Sequence, residues 1–278
     1  MTTVAPFFKA AGGKRQLLSE LRKHIPAKFG RYFEPFVGGG ALYFDLVSSG
    51  RIRSACPWLN DANPDLLSAY LSLRDHVEPL IGFLKQLSAA YVAGDREAYF
   101  YKVRATQMTS TLSKAVRFLF LNKTCFNGLW RVNQKTGENN VPHGKYKNPT
   151  ICDEVALRAA SWALQGAAIT NLDFEAAVLG HERAGDLVYF DPPYVPVSET
   201  ADFTSYTKDG FTLRDQERLR DLALTLKKRG VHVILSNADV PMVRTMYGHG
   251  FDLHAVSARR NINSKSAKRG PVGELIIT

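Results

Sequence analysis

Apolar residues recur at helical spacing in several stretches of the chain, and short apolar runs separate these stretches. Up to residue 62 the pattern predicts helices and strands in alternation. The expected elements are a helix through Leu17, Leu18, Leu21 and Ile25, a strand over 31–37, a helix over 41–47 and a strand ending at 58–61. This order is typical of an α/β sheet.

From Asn63 onward the pattern becomes almost purely helical. Asn63 can cap a helix, and Pro64 suits its first turn. Four apolar faces follow without a credible strand, which predicts a helical subdomain over 63–164. The stretch over 122–148 is irregular and rich in Asn, Lys and Gly. Irregular segments of that length are usually functional or disordered.

The alternation returns after residue 164. Thr212 and Asp215 predict the start of a long helix that ends at Gly230, and another helix should open at Asp239 and Pro241. The expected strands are 168–172, 187–190, 231–235, 251–256 and 274–277. Residues 1–62 and 165–278 are therefore expected to form one α/β domain with a mostly parallel sheet, into which 63–164 is inserted.

The composition is that of a soluble globular protein. The chain has 278 residues, of which 45% are apolar and 22% charged. No apolar run approaches the roughly 18 residues of a membrane span, and the N-terminus has no long apolar segment for secretion. Cys56, Cys125 and Cys152 fit neither a disulfide framework nor a zinc site, which favours a reducing cytoplasm. No histidine pair has metal-ligand spacing.

The net charge is strongly positive. The 36 Lys and Arg residues exceed the 26 Asp and Glu residues, so the net charge is 36 − 26 = +10, and the pI is about 9.5. Such a charge suits a polyanionic partner, although a basic soluble protein without one has the same composition.

The sharpest chemical signal is the sequence Asp191-Pro-Pro-Tyr194, directly after the strand over 187–190. Ligands of open α/β sheets bind beyond the carboxyl ends of the strands. Pro192 and Pro193 stiffen the loop and lack N–H groups. The Asp191 carboxylate and the Pro192 carbonyl can accept both N–H bonds of a conjugated amine and localise its lone pair, while Tyr194 stacks on the base. A rigid turn without chemistry is the alternative.

A glycine-rich loop, Gly38-Gly-Gly40, follows the strand over 31–37 and precedes a helix. Tyr43 occupies the position where a dinucleotide-binding loop has its third glycine, which disfavours NAD. Asp61, at the end of the next strand, suits a ribose hydroxyl. This combination favours S-adenosylmethionine, which has no phosphate to bind, over a turn that serves packing alone.

Three further segments carry candidate contacts. Phe8-Lys-Ala-Ala-Gly-Gly-Lys14 fails the P-loop pattern, so its glycines are expected to serve another close approach, with Lys9 and Lys14 as cations. Cations, amides and aromatic residues alternate over 122–131 and 141–147, a composition suited to reading base edges and wedging into a base stack. A basic cluster, which is either a phosphate contact or a solvated hairpin, consists of Arg259, Arg260, Lys265, Lys268 and Arg269. Ser236 and Asn237 follow the strand over 231–235 and either line a pocket or cap the next helix.

Together these motifs resemble the Dam/DpnM-type adenine-N6 DNA methyltransferases of the D12 class, α group. The resemblance covers nearly the whole chain and includes FKAAGGK, EPFVGGGAL, LNDANPDLL, NKTCFNGLWRVN, NVPHGKYKNP and YFDPPY. It implies a Rossmann-like methyltransferase fold with a seven-stranded mixed sheet, S-adenosylmethionine as cofactor, and methylation of a flipped adenine in duplex DNA, within GATC.

The resemblance also implies roles for individual residues. The methyl transfer is expected at Asp191, Pro192, Pro193 and Tyr194. Cofactor contacts are expected from Ala10, Lys14, Phe36, Gly38, Gly40, Asp61, Asp173 and Asp191. Base contacts are expected from Lys9, Asn127, Arg131, Pro142 and Lys145, with Phe126 as a wedge. The basic cluster is expected on the DNA phosphates.

The chain departs from the family at two positions. Ala10 stands where members usually have Trp, so an aromatic contact to the cofactor is missing or supplied elsewhere. Lys145 stands where some members have Arg, which weakens a bidentate guanine contact. Two alternatives stay open: a DNA-binding regulator without catalysis, and a methyltransferase for RNA or a protein amide. A cognate restriction endonuclease, or a role in mismatch repair, also stays open; no membrane or metal is expected, and the location is expected to be cytoplasmic and nucleoid-associated.

Overall fold

The computed structural model describes residues 4–9, 14–52, 56–133, 139–195, 211–259 and 271–278. The helices are α1 Leu18–His24, α2 Ala41–Ser48, α3 Pro64–Asp75, α4 Val77–Ala93, α5 Arg96–Ala105, α6 Thr111–Thr124, α7 Glu154–Leu164, α8 Leu213–Lys228 and α9 Pro241–Tyr247. The strands are β1 Tyr32–Glu34, β2 Trp58–Asn60, β3 Ala168–Thr170, β4 Leu187–Phe190, β5 His232–Ala238, β6 Leu253–Arg259 and β7 Pro271–Ile277. Short 3-10 turns lie at Lys14–Gln16 and Phe126–Gly128.

The strands form a seven-stranded mixed sheet in the order β3-β2-β1-β4-β5-β7-β6. The central pairs β1/β2, β1/β4 and β4/β5 are parallel, and β7 is antiparallel to both β5 and β6. The expected α/β fold with a seven-stranded mixed sheet is therefore confirmed. Parallel strands place their carboxyl ends at one edge, which is where the ligands of such sheets bind.

Contacts divide the chain into two compact units. Unit 1 comprises residues 1–13, 38–53 and 63–171, and unit 2 comprises 14–37, 54–62 and 172–278. Residues 4–9 and the glycine-rich loop thus belong with the helices of unit 1. The division at 63 and 164 into a catalytic and a DNA-reading part stays a prediction about function.

Unit 1 is a helical bundle built around aromatic side chains. The Asn63 side chain accepts hydrogen bonds from the backbone N–H groups of Asp65 and Leu66, and Pro64 opens α3 as expected. Phe8 packs edge-on against Phe118 of α6, with their ring centres 5.3 Å apart. Within residues 63–164 the structure adds α7, which the apolar pattern does not predict. Three of its five buried side chains are the small residues Ala160, Ser161 and Ala163, which give little apolar signal in the sequence.

The core of unit 2 lies between α8 and the sheet. Leu219, Leu222 and Leu226 of α8 are buried in one cluster with Val233 and Leu235 of β5. Thr212 and Asp215 form a complete capping box, which fixes where α8 begins. No helix in the described part of the chain is long and apolar enough to cross a membrane.

The strand bounds differ from the sequence prediction at β1, β3, β5, β6 and β7, and the differences at β1 and β5 have a clear physical reason. β1 ends at Glu34 because Pro35 lacks an N–H group, and the Val37 N–H donates instead to the Asn60 carbonyl. β5 continues to Ala238 because Ser236 and Asn237 pair with β7. Ser236 and Asn237 are therefore buried inside the sheet rather than placed after a strand.

Candidate active site

Three predicted site residues follow neighbouring strands of unit 2 at the carboxyl edge of the sheet. Phe36 comes shortly after β1, Asp61 directly after β2 and Asp191 directly after β4, and the order β2-β1-β4 makes these strands neighbours. Each of the three side chains is partly exposed. The sheet therefore brings an aromatic ring and two carboxylates to one edge, as the sequence predicts.

A buried amide fixes the ends of β1 and β2. The Asn60 side chain is 1% exposed, and its Nδ2 atom donates to the carbonyls of Pro35 and Leu172 at 3.0 Å each. Its Oδ1 atom accepts from the Leu172 N–H at 2.8 Å. The backbone on either side of Phe36 and Asp61 is therefore rigidly placed, and the sequence gives no specific signal for this role of Asn60.

The loop over 191–195 is held by two buried amides. Gln216 Nε2 donates to the Pro193 carbonyl at 2.9 Å, and the Val195 N–H donates to Asn237 Oδ1 at 3.3 Å. Asn237 Nδ2 donates in turn to Gln216 Oε1 at 3.1 Å. Both amide side chains are fully buried. Gln216 lies on the apolar stripe of α8, and a polar residue in such a stripe is the signal that could reveal it.

A group of charges surrounds the Asp191 carboxylate. Lys14 Nζ lies 3.1 Å from Asp191 Oδ1 and 3.8 Å from Glu274 Oε2. The Tyr194 hydroxyl donates to Glu274 Oε2 at 3.0 Å, and Lys14 Nζ lies 4.3 Å from the centre of the Tyr194 ring. The Lys14 side chain is 7% exposed and that of Asp191 23%. The sequence predicts Lys14, Asp191 and Tyr194 at the site but not Glu274.

Burial alters the acid–base properties of this group. It raises the pKa of the Asp191 carboxyl, and the neighbouring Lys14 ammonium offsets part of that rise. Burial also raises the pKa of both Tyr189 and Tyr194, and the Asp191 charge raises the pKa of each further. Both phenols therefore stay protonated near neutral pH, and the Tyr194 hydroxyl donates to Glu274.

An aromatic cluster lies beside the end of β1. The Phe36 ring stacks on Phe174 at 5.4 Å and meets Phe211 edge-on at 5.6 Å. The Arg218 guanidinium lies 4.8 Å from the centre of the Phe174 ring, and its Nη2 atom donates to Asp173 Oδ1 at 2.8 Å. The predicted cofactor residue Asp173 is thus half exposed and held by an arginine that the sequence does not single out.

The glycine-rich loop adopts the left-handed backbone that glycine favours. Gly38 has φ +45° and Gly40 has φ +63°. A Cβ atom on Gly40 would lie 2.7 Å from the Tyr70 hydroxyl, whereas one on Gly38 would meet open space. The Tyr70 hydroxyl donates to the Gly38 carbonyl at 3.0 Å, which ties the loop to α3 within unit 1. Ala10 lies outside the described residues.

Unit 1 brings most of the predicted base-reading residues into one assembly. The Phe126 N–H donates to the Pro142 carbonyl at 2.9 Å, and the Asn127 N–H donates to the Tyr146 hydroxyl at 2.9 Å. Lys9 Nζ lies 4.4 Å from the centre of the Tyr146 ring. Phe126 is 46% exposed, although large apolar side chains usually avoid water. The sequence does not single out Tyr146, which holds Lys9 and Asn127 together.

The other predicted DNA contacts are placed less completely. Arg131 is exposed, and its carbonyl accepts from the Asn140 N–H at 3.0 Å. Lys145 is exposed, with φ +52°, and its Nζ atom lies 3.8 Å from Glu97 Oε2. Arg259 is the last residue of β6, whereas Arg260, Lys265, Lys268 and Arg269 lie outside the described residues. Within the described ranges, no three His, Cys, Asp or Glu side chains are grouped as metal ligands.

Comparison with known proteins gives matches over the whole chain. The family model described as D12 class N6 adenine-specific DNA methyltransferase matches residues 11–262. The type II methyltransferase M1.LlaDCHI of Lactococcus lactis subsp. cremoris is 39% identical, over 98% of this chain and 94% of that protein. The type II methyltransferase M.MjaIII of Methanocaldococcus jannaschii is 41% identical, over 96% and 95%. The DNA adenine methylase of Escherichia coli K12 is 33% identical, over 97% and 93%.

Proposed function

Because this chain belongs to the D12 class N6 adenine-specific DNA methyltransferase family, we propose that it methylates a flipped adenine within GATC in duplex DNA. S-adenosylmethionine is the methyl donor. The observation that carries the proposal is the rigid, acceptor-rich loop after β4, with the Asp191 carboxylate 3.1 Å from the Lys14 ammonium and still partly open to solvent.

The residues at the carboxyl edge of unit 2 fit this cofactor. Asp191 and Glu274 supply negative charge that complements a sulfonium cation. Asp61 follows the second strand, where an acid suits the ribose hydroxyls. Phe36 offers a partly exposed ring for the adenine of the cofactor. When bound, the cofactor supplies an electrophilic methyl group.

Asp191 and Pro192 are proposed to bind the amino group of the target base. Both are acceptors on a stiff loop, and together they can accept both N–H bonds of the exocyclic nitrogen. That arrangement localises the nitrogen lone pair and stabilises the positive charge that develops on the nitrogen. Since Gln216 and Asn237 hold the loop before substrate binds, little reorganisation is needed during the transfer. Tyr194 is proposed to stack on the base.

Base flipping is proposed because the two acceptors, Asp191 and Pro192, lie on the loop after β4 and not on an element that reads a DNA groove. Enzymes that modify a base inside a duplex must first extract it, and the cost of unstacking is a few kcal/mol. Phe126, with 46% of its side chain exposed beside Pro142, is suited to fill the gap that the base leaves.

Sequence reading is proposed for the assembly around Lys9 in unit 1. Arginine can bind guanine and asparagine can bind adenine through paired hydrogen bonds, which suits Arg131 and Asn127. Lys9 and Lys145 add cationic donors, and the basic cluster over 259–269 is proposed to contact phosphates. A cytoplasmic, nucleoid-associated location and a cognate endonuclease stay predictions.

A methylation assay on plasmid DNA tests the proposed function. The protein is incubated with S-adenosylmethionine and a plasmid that contains GATC, which is then treated with an endonuclease that cuts only unmethylated GATC. We expect the wild-type protein to protect the plasmid. We expect Asp191→Ala to abolish protection while DNA affinity, measured by fluorescence anisotropy, changes less than about threefold, because the residue acts on the amino group and not on the phosphates.

Three outcomes would contradict the proposal. Normal protection by Asp191→Ala would remove the proposed role of the loop after β4. DNA binding without measurable heat of S-adenosylmethionine binding in calorimetry would favour a regulator without catalysis. Methylation of RNA or protein with no plasmid protection would favour another acceptor.

A further inference from the structure

Glu274 is a partly buried acid that the sequence motifs do not assign to the site. It lies on β7, opposite Ala238 of β5, and its side chain is 14% exposed. Its Oε2 atom accepts a hydrogen bond from the Tyr194 hydroxyl at 3.0 Å and lies 3.8 Å from Lys14 Nζ. It therefore contacts two members of the proposed active site from a neighbouring part of the sheet.

We propose that Glu274 is a positioning residue for methyl transfer, because it fixes the Tyr194 ring and shares the Lys14 ammonium with Asp191. The inference rests on the proposed function of the loop after β4. It adds one residue with two distinct physical effects. The first is on the orientation of the Tyr194 ring, and the second is electrostatic, on the Asp191 carboxylate.

The effect on orientation follows from the contacts of the Tyr194 ring. The Tyr194 hydroxyl is bonded to Glu274, and the ring face lies 4.3 Å from Lys14 Nζ. The backbone on either side of Tyr194 is bonded to Gln216 and Asn237. The hydrogen bond to Glu274 therefore helps to set the direction of the ring once the backbone is fixed, together with the hydrogen-bond contact between Tyr194 and Asp191. Without Glu274 the Tyr194 hydroxyl loses this acceptor, and the ring is free to reorient.

The electrostatic effect follows from the charge balance. Lys14 and Asp191 alone would carry a net charge of zero, because one ammonium would neutralise one carboxylate. With Glu274 the three side chains carry +1 − 2 = −1. The surplus negative charge weakens the net attraction between the Lys14 ammonium and the Asp191 carboxylate. It also leaves the Asp191 carboxylate better able to accept the N–H groups of the amine and to face a cationic donor.

The electrostatic effect has a sign that can be measured. The groups facing Asp191 are Lys14 from the turn at 14–16, Glu274 from β7, Tyr194 from its own loop and Tyr189 from β4, and Glu34 of β1 acts on Tyr189. The Glu274 charge raises the pKa of Asp191. Its removal therefore lowers that pKa, and Asp191 stays ionised to lower pH.

The first experiment uses Glu274→Gln, which keeps an oxygen acceptor for Tyr194 but removes the charge. The kcat/KM for a GATC duplex is measured from about pH 4 to about pH 8 with saturating S-adenosylmethionine. We expect the acidic limb of the profile to move to lower pH by about half a unit or more. Glu217→Gln, an exposed position on α8, is the matched control and should leave the profile unchanged.

The second experiment is a double-mutant cycle on the single-turnover rate. We expect Glu274→Ala and Tyr194→Phe each to lower the rate about tenfold, because each breaks the same buried hydrogen bond. The double variant should be about as slow as either single variant rather than about a hundredfold slower, since the two residues act as a pair. Circular dichroism confirms that each variant folds.

The outcomes separate this inference from the proposed function. A wild-type protein that leaves the plasmid unmethylated would remove the proposed function and this inference with it. Wild-type methylation combined with an unmoved or raised acidic limb in Glu274→Gln would overturn the electrostatic role alone. Additive losses of rate in the double-mutant cycle would overturn the role of Glu274 in orienting the Tyr194 ring. A Glu274→Ala protein that does not fold leaves the Glu274→Gln profile as the deciding measurement.

Discussion

Asn122 is a buried amide whose hydrogen bonds join segments that are far apart in the chain. Its Oδ1 atom accepts from the Lys9 N–H at 2.9 Å, and its Nδ2 atom donates to the carbonyls of Lys9 and Gly128 at 2.8 Å each. A Cβ atom on Gly128 would lie 2.5 Å from Lys9 Cβ, so glycine is needed for this close approach. One side chain therefore places the backbone of Lys9 against the proposed base-reading segment.

Replacement of Asn122 by alanine should weaken discrimination between DNA sites. Three backbone groups would lose their partner, at a cost of about 1–3 kcal/mol for each buried group left unpaired. We expect Lys9 to lose its fixed position, and the ratio of kcat/KM on GATC to that on sites with one altered base to fall about tenfold. The ratio is measured with oligonucleotide duplexes.

The matched control for this prediction is Asn148→Ala, since Asn148 is exposed. The control should keep the wild-type ratio. An Asn122→Ala protein that is less stable in urea but keeps the wild-type ratio would show that Asn122 supports the fold and does not affect specificity.

At the scale of elements, α8 connects a local sequence signal to the proposed site. Thr212 Oγ1 accepts from the Asp215 N–H at 3.2 Å, and Asp215 Oδ2 accepts from the Thr212 N–H at 2.9 Å. This capping box sets the first turn of the helix, and Gln216 follows directly. The start of α8 therefore determines where Gln216 can reach the Pro193 carbonyl.

Loss of this cap should reduce stability. We expect Thr212→Ala to lower the free energy of unfolding by about 1 kcal/mol, because the helix loses an N-terminal hydrogen bond. The measurement is equilibrium unfolding in urea. Thr225→Ala, in the interior of the same helix and partly exposed, should change stability by less than about 0.5 kcal/mol. Equal losses of unfolding free energy in the two variants would show that the cap contributes no more to stability than the interior position does.

At the scale of the whole molecule, the net charge of +10 bears on DNA affinity. Lys and Arg side chains that bind phosphates release counterions from DNA. The logarithm of the association constant therefore falls linearly with the logarithm of the salt concentration, with a slope of about −0.9 for each phosphate contact. If each of the five cations of the basic cluster contacts a phosphate, affinity should fall about 500-fold between about 50 and about 200 mM salt.

Substitution within the cluster tests this prediction. We expect Lys265→Gln with Lys268→Gln to make the slope shallower by about two contacts, measured by anisotropy at several salt concentrations. Lys85→Gln is the control, because Lys85 on α4 pairs with Glu154 at 2.6 Å. A slope unchanged by the double substitution would place the cluster away from the DNA.

The same three scales separate what could be predicted from what could not. Single residues with a strong chemical signature, such as Asp191 and Asp61, are predictable because strand ends of a parallel sheet are known binding positions. The hydrogen-bond partners of buried amides such as Asn60, Gln216 and Asn237 are not predictable, since they are known only after distant segments meet. The family resemblance is confirmed by the match over 11–262, whereas the individual site roles stay predictions.

The sequence by itself determined the order of the strands and of the helices other than α7, the caps at Asn63 and Thr212, the mixed α/β class and the position of the Asp191 loop after a buried strand. These features depend on local spacing and on residue chemistry, which one segment carries alone. Only the tertiary structure decided that Glu274 meets Tyr194 and Lys14, and that β5 extends through Asn237 by pairing with β7. Those contacts join residues far apart in the chain, and their distances follow from the packing of the sheet as a whole.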